Sequence, residues 1–230
     1  VTDAFRGVVA IDGPSGSGKS SVAKAVARSL QLRYMDTGAM YRAVTRGALQ
    51  AQIALDDAAA VAEFARRMDL PVPTDPNAQR IVINGADVTE AIRTSAVSEA
   101  VSAVATNLDV RAELVRRQRE VVAAGAAIVL EGRDTTTVVA PDAAVRLLIT
   151  ADPQARIARR AAELHETVDA RTMGATTAQV IERDAKDSTV VEFQRAADGV
   201  ITVDTSHLSL ESSIETVLRI IAEVDGKQTP

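Results

Sequence analysis

The segment Gly13-Pro14-Ser15-Gly16-Ser17-Gly18-Lys19-Ser20 constrains this chain more than any other, because a strand must enter it and a helix must leave it. It fits the G-x-x-x-x-G-K-[ST] template, in which glycines let the backbone wrap its N–H groups around phosphate oxygens. The apolar run Val8 to Ile11 precedes it, and Val22, Ala23, Val26, Ala27 and Leu30 follow at helical spacing. Strand, loop and helix are therefore predicted. The helix adds its positive dipole end, Lys19 reaches the outer phosphates, and the Ser20 hydroxyl is placed to ligate Mg²⁺. Gly13 through Ser20, with Ser21 beside them, are the expected contacts of a nucleoside triphosphate. The loop alone leaves a switch, a motor and a small-molecule kinase open, although no Asn-Lys-x-Asp guanine-reading motif is present.

The same alternation returns at Ile128-Val129-Leu130, at Val145 to Ile149 and at Val200 to Val203, the last followed by a helix starting near Ser209. Unbroken apolar strands alternating with helices are the pattern of a parallel sheet covered on both faces, so the class is α/β. Ile81-Val82-Ile83-Asn84-Gly85 places an Asn-Gly pair after β-branched residues, which predicts a small inserted antiparallel hairpin. Helices are expected over Thr94 to Val104, Asp109 to Ala123 and Pro153 to Leu164. The stretch His165 to Thr177 has weak periodicity and several turn formers, and reads as mobile. No repeat or linker divides the 230 residues, so one domain is expected.

Composition narrows the partners. Aromatic residues are 2% of the chain, too few for the stacking platforms that hold single-stranded nucleic acid. A net charge of −5 argues against adhesion to DNA or anionic membranes, so no nucleic-acid or membrane partner is expected. Any anionic ligand must meet local positive charge. Of the 26 basic residues only Lys19, Lys24, Lys186 and Lys227 are lysines, and the arginines offer planar forks suited to carboxylate or phosphate. With no cysteine there are neither disulfides nor thiolate zinc sites, and no apolar leader opens the sequence. A cytoplasmic monomer is expected.

From Asp36-Thr37-Gly38-Ala39-Met40-Tyr41-Arg42 onward the chain resembles the bacterial cytidylate kinases, a branch of the phosphate-loop (P-loop) nucleoside monophosphate kinases. Ala91-Ile92-Arg93, Val110-Arg111, Glu131-Gly132-Arg133-Asp134, Arg183-Asp184-Ala185-Lys186-Asp187 and Val203-Asp204-Thr205-Ser206 extend the likeness from about Val8 to Val224. The resemblance implies a three-layer fold with an NMP-binding flap at about 66–98 and a mobile helical lid at about 155–195. It implies transfer of the γ-phosphoryl of ATP to CMP or dCMP, small-molecule substrates both. Thr37, Arg111 and Asp134 would face the cytosine, Ser102, Arg183 and Asp187 the sugar, and Arg42 and Arg133 the acceptor phosphate. A carboxylate can accept from the cytosine amine while an arginine donates to its ring nitrogen and carbonyl, and uracil reverses both functions.

A phosphate monoester is already largely anionic at neutral pH, so no strong general base is required. Lys19, Mg²⁺ and arginines would align and neutralise the transferred group, with Arg133, Arg156, Arg159 and Arg160 as the candidate catalytic cations. Each carries an ordinary alternative. Arg42 and Arg133 could be surface ion-pair partners, Asp134 a cap, Ser102 a plain helical serine, Arg183 and Asp187 an i,i+4 pair, and the three lid arginines a solvated face. Asp12 is either an orienter of magnesium-bound water or a strand-end turn residue. His165 and His207 read as structural or surface residues. Two departures stand out against the family: Val190 occupies a position where many relatives carry an arginine, and Thr136 one where glycine is usual. Arg195 or Arg183 would compensate for the missing charge. A kinase for another monophosphate and a non-catalytic nucleotide-binding regulator are the rival readings.

Overall fold

The structure, a computed structural model, describes residues 5–164 and 170–228. Strand β1 (Val8–Asp12) leads through the glycine loop into α1 (Lys19–Ser29), then β2 (Arg33–Asp36), α2 (Thr37–Gln50) and α3 (Ala58–Arg67). The hairpin β3 (Val82–Ile83) and β4 (Ala86–Asp87) precedes α4 (Ser95–Ala105), α5 (Leu108–Ala123) and β5 (Ile128–Gly132). A π turn at Thr135–Val139 connects to β6 (Val145–Thr150), α6 (Pro153–Leu164), α7 (Ala170–Asp187), β7 (Ile201–Asp204) and α8 (Leu210–Gln228).

Five strands form one sheet in the order β2-β5-β1-β6-β7, and every pairing is parallel. Period-two alternation sorts their side chains. Val9 lies opposite Val129 and Val145, and Ile11 opposite Leu147, so these five apolar positions and Ile149 share one face and pack with Val22 and Val26 of α1 and Val217 and Ile221 of α8. Ile128, Leu130 and Met35 point the other way, into a second core with Met40, Val44 and Leu114 from α2 and α5. The α/β expectation is met, with helices on both faces. All carboxyl ends lie along one edge, and the order turns outward on either side of β1, the place where open parallel sheets hold ligands.

The hairpin forms where Asn84-Gly85 predicts it, with φ of 48° and 81° at the two turn residues. The expected helices over α4, α5 and α6 are present within a residue or two. Helices α2 and α3 were not anticipated from the sequence. The irregular reading of His165 to Thr177 is corrected in its second half, because α7 starts at Ala170; its first part, including His165, lies outside the described residues at 165–169. Thr176 and Val180 are buried and α7 packs on α6 and α4, so tertiary burial overrides weak local propensity. Among the described residues no helix is long and apolar enough to cross a membrane.

One arginine fastens α3 to α5. Arg117 donates from Nη1 to the Met68 carbonyl at 3.0 Å and from Nη2 to the carbonyls of Ala65 and Arg66 at 2.9 and 3.1 Å, satisfying the open end of α3. Glu113 aims it, accepting from Arg117 Nε at 2.6 Å. Hydrogen bonds from Arg116 and then Arg117 hold the Glu113 carboxyl at about 2, below its ordinary 4.5. A depressed carboxylate stabilises the fold above its ordinary pKa and loses that contribution as pH falls. Glu113→Gln should therefore lower Tm at pH 7 by about 4 °C. The gap to the wild type should close between about pH 4.5 and 2 when melting is followed by circular dichroism.

Candidate active site

The phosphate loop follows β1 as its sequence requires, and its geometry depends on α6. Gly16 has φ of 76°, and a Cβ there would lie 2.4 Å from the Arg156 carbonyl oxygen, so only glycine admits the helix. Lys19 Nζ donates to the Pro14 carbonyl at 3.3 Å, folded back over its own loop. Burial depresses the Lys19 ammonium pKa, while the neighbouring Glu131 opposes that effect. Ser20 Oγ and the Tyr34 hydroxyl both donate to Glu131 Oε1, at 2.7 and 3.3 Å. Burial, with the nearby Asp36 charge, pushes the Glu131 carboxyl up to about 7.

Asp12 is spent on structure. Its Oδ1 accepts from Thr135 N and Oγ1 at 2.8 and 2.7 Å, and its Oδ2 from Thr136 N and Oγ1 at 2.8 and 2.6 Å. The turn reading of Asp12 is the one displayed. The same contacts explain Thr136, which in place of glycine adds a hydroxyl donor to that carboxylate.

Seven of the eight residues expected on the acceptor side line one cavity of about 650 Å³ together with Lys19 and Ser20. Thr37 opens α2 and donates to the Glu131 carbonyl at 2.9 Å; a side chain on Gly132 would meet its hydroxyl at 2.3 Å. Arg42 pairs with Asp36 at 2.9 Å. Arg111, from α5, forms a close ion pair with the buried Asp134, whose pKa burial raises although Arg111 opposes it. Arg133 is held on its edge by Asp184 at 2.9 Å and Asp187 at 2.5 Å, and on its face by the Phe193 ring, 4.3 Å away. Burial, then the charge of Arg133, pushes the Arg183 guanidinium down to about 9, with Asp187 opposing and Arg42 and Arg160 adding to the depression.

Four buried polar atoms on cavity residues lack a well-formed hydrogen bond: the Tyr41 hydroxyl, Arg133 Nη1, Arg183 Nε and Asp187 Oδ1. Arg133 Nη1 and Arg183 Nε meet Asp187 Oδ2 as ion-pair contacts at 2.5 and 3.6 Å, and polar groups so incompletely bonded around one space suit a ligand bearing donors and acceptors.

Other predicted residues sit elsewhere. Ser102 is buried outside the cavity lining, and one turn earlier Ser98 lines it and accepts from Arg160 at 3.3 Å. Arg160 faces the cavity, whereas Arg156 and Arg159 brace the loop from outside. Arg156 donates to the Ser15 carbonyl at 3.0 Å, and Arg159 to the carbonyls of Ser17 and Thr205 at 3.5 and 2.7 Å. Gly13, Pro14 and Ser17 form the loop's backbone but do not line the cavity; Ser15, Gly16, Gly18 and Ser21 do. Arg183 lines it too, while Arg195 is exposed outside. His207 is exposed in the turn after β7. Glu131, Asp184 and Phe193 were assigned no role from the sequence. The first two stand inside the motifs quoted above; nothing in the sequence signalled Phe193.

A glycine-rich phosphate loop at the switch point of a parallel sheet, opening onto an arginine-lined cavity, defines a phosphate-loop kinase. The family profile for cytidylate kinase matches residues 9–223, and the chain belongs to that family. It is 47% identical over 220 residues to a cytidylate kinase of Cutibacterium acnes, covering 93% of this chain and 95% of that one. It is 43% identical over 220 residues to that of Rhodococcus jostii, covering 95% and 96%. In fold it is similar to an uncharacterised protein from Eubacterium ventriosum, with a TM-score of 0.51 and 13% identity, covering 94% of this chain and 98% of that one.

The Asp12 hub gives a test. Asp12→Ala leaves two amides and two hydroxyls of the π turn without their acceptor and should cost at least about 3 kcal/mol in urea denaturation.

Proposed function

We propose that this protein transfers the γ-phosphoryl group of ATP to CMP or dCMP, yielding ADP and the corresponding diphosphate. One observation carries the reading: a single cavity joins Lys19 and Ser20 to the arginines Arg42, Arg133 and Arg183 and to the Arg111–Asp134 pair. Two polyanions need positive charge at both ends of one cleft. Thr37, Arg111 and Asp134 would read the cytosine, with Asp134 accepting from its exocyclic amine and Arg111 donating to its ring acceptors. Arg183, Asp187 and Ser98 of α4, in place of the expected Ser102, would take the sugar, and the Asp187 Oδ1 left without a hydrogen bond is suited to a sugar hydroxyl. Arg42 and Arg133 would bind the acceptor phosphate, with Arg183 supplying the charge that Val190 lacks.

Ser20 and Glu131 would hold Mg²⁺, because both present hard oxygen donors 2.7 Å apart and one carboxylate beside phosphate oxygens suits this ion. When bound, the ion would supply charge neutralisation for the donor phosphates. Lys19 would swing from the Pro14 carbonyl to the transferred group. Arg160, which faces the cavity, and Arg133 would neutralise charge spreading over it, while Arg156 and Arg159 would hold the loop that aligns it. The acceptor oxygen is already anionic at neutral pH, so alignment replaces base catalysis. The hairpin-bearing insertion at about 66–98 and the α6–α7 lid at about 155–195 would close over the pair of nucleotides and exclude water.

The test is ADP formation from ATP–Mg across CMP, dCMP, UMP, AMP, GMP and dTMP. CMP and dCMP should be turned over, with kcat/KM for UMP at least about 100-fold lower, because uracil mispairs both Arg111 and Asp134. Asp134→Ala should reduce kcat/KM for CMP by about 100-fold or more and that for UMP far less. ATP bound with no acceptor-stimulated ADP release would point to a nucleotide-binding regulator, the reading that the uncharged Val190 favours.

A further inference from the structure

Asp184 belongs to none of the groups assigned to base, sugar or phosphate, yet it joins three distant parts of the site. It is 5% exposed near the end of α7. Its Oδ1 accepts from Arg133 Nη2 at 2.9 Å and from the Ser15 amide at 3.4 Å, and its Oδ2 takes a close ion pair from Arg156 of α6. Arg156 in turn donates to the Ser15 carbonyl at 3.0 Å. Both main-chain polar groups of Ser15 are thus gripped by a single ion pair, and the carboxylate of that pair also holds the arginine proposed for the acceptor phosphate.

We propose that Asp184 is a positioning residue that couples the donor site to the acceptor site. A donor nucleotide draws the loop amides toward its phosphates. The main chain on either side of the Ser15 Cα cannot turn without moving its two partners, Asp184 and Arg156. Because Asp184 also fixes the edge of Arg133, any such movement reorients the guanidinium before the acceptor arrives. Differential contact in two states is what a coupling free energy requires, and here the contacts run through one buried carboxylate. Phe193 and Asp187 limit the travel, holding Arg133 on its face and its other edge.

The inference rests on the acceptor site proposed above, and calorimetric titration of CMP with and without saturating ADP–Mg separates the two. ADP cannot donate to CMP, so the ternary complex is stable to reaction. For the wild type, ADP–Mg should tighten CMP binding at least about fivefold, as for a modest allosteric coupling. In Asp184→Asn, which keeps shape but loses the charge, the two affinities should agree within about twofold, whatever loss of Tm or of CMP affinity follows from breaking its pairs with Arg133 and Arg156. Arg156→Ala should abolish the same ratio, and the double variant should add nothing further, which a merely structural role would not produce. If Asp184→Asn does not fold, Arg156→Ala carries the test alone. A wild type with no ADP dependence, or a folded Asp184→Asn that keeps the wild-type ratio, overturns the coupling and leaves the acceptor site standing. A wild type that binds no CMP overturns both.

Discussion

Guanidinium groups cannot be crowded into a low-dielectric cleft unless something negative stands between them, and much of this site follows from that constraint. Arg133 and Arg183 lie close enough for burial and mutual repulsion to pull Arg183 down to about 9, with Arg42 and Arg160 adding to the field. Asp36, Asp184 and Asp187 each take one or more of these cations. Their carboxylates divide rather than extinguish the charge. The remaining positive potential belongs to whatever anion enters.

The sheet makes that arrangement possible at little conformational cost. Parallel strands place every β-to-α connection on one edge, so residues separated by more than a hundred positions meet there without long loops. Lys19 follows β1, Thr37 follows β2 and Arg133 follows β5. Asp12 locks two of these connections together through the four hydrogen bonds it takes from Thr135 and Thr136. The turn bearing Arg133 and Asp134 is therefore fixed relative to the loop bearing Lys19.

Much of this was legible in the sequence because it is local. The apolar strand before the glycine loop, the Asn-Gly turn and the helical spacing of α4, α5 and α6 each specify their conformation within a few residues. The site motifs were legible for the same reason: each is a short run whose backbone and side chains act together. What escaped depends on contacts across the fold. The start of α7 has little periodicity of its own and becomes helical on its neighbours. Ser98 rather than Ser102 lines the cavity because of the rotation of α4, which apolar spacing does not fix to one residue. Arg156 and Arg160 look alike in sequence; one braces the loop from behind and the other faces the cavity. Phe193 carries no motif, and its place over Arg133 depends on how the chain returns after α7.

The contact between Gly16 and the Arg156 carbonyl also bears on exchange of parts between kinases. A helical pair transplanted from another member would have to ride over residue 16 with its main chain at the same height. A graft sitting lower collides with the loop, and one sitting higher leaves the Ser15 carbonyl without its guanidinium. Helices α6 and α7 and the loop therefore form a matched set, and recombination between homologues should succeed more readily when the crossover carries both.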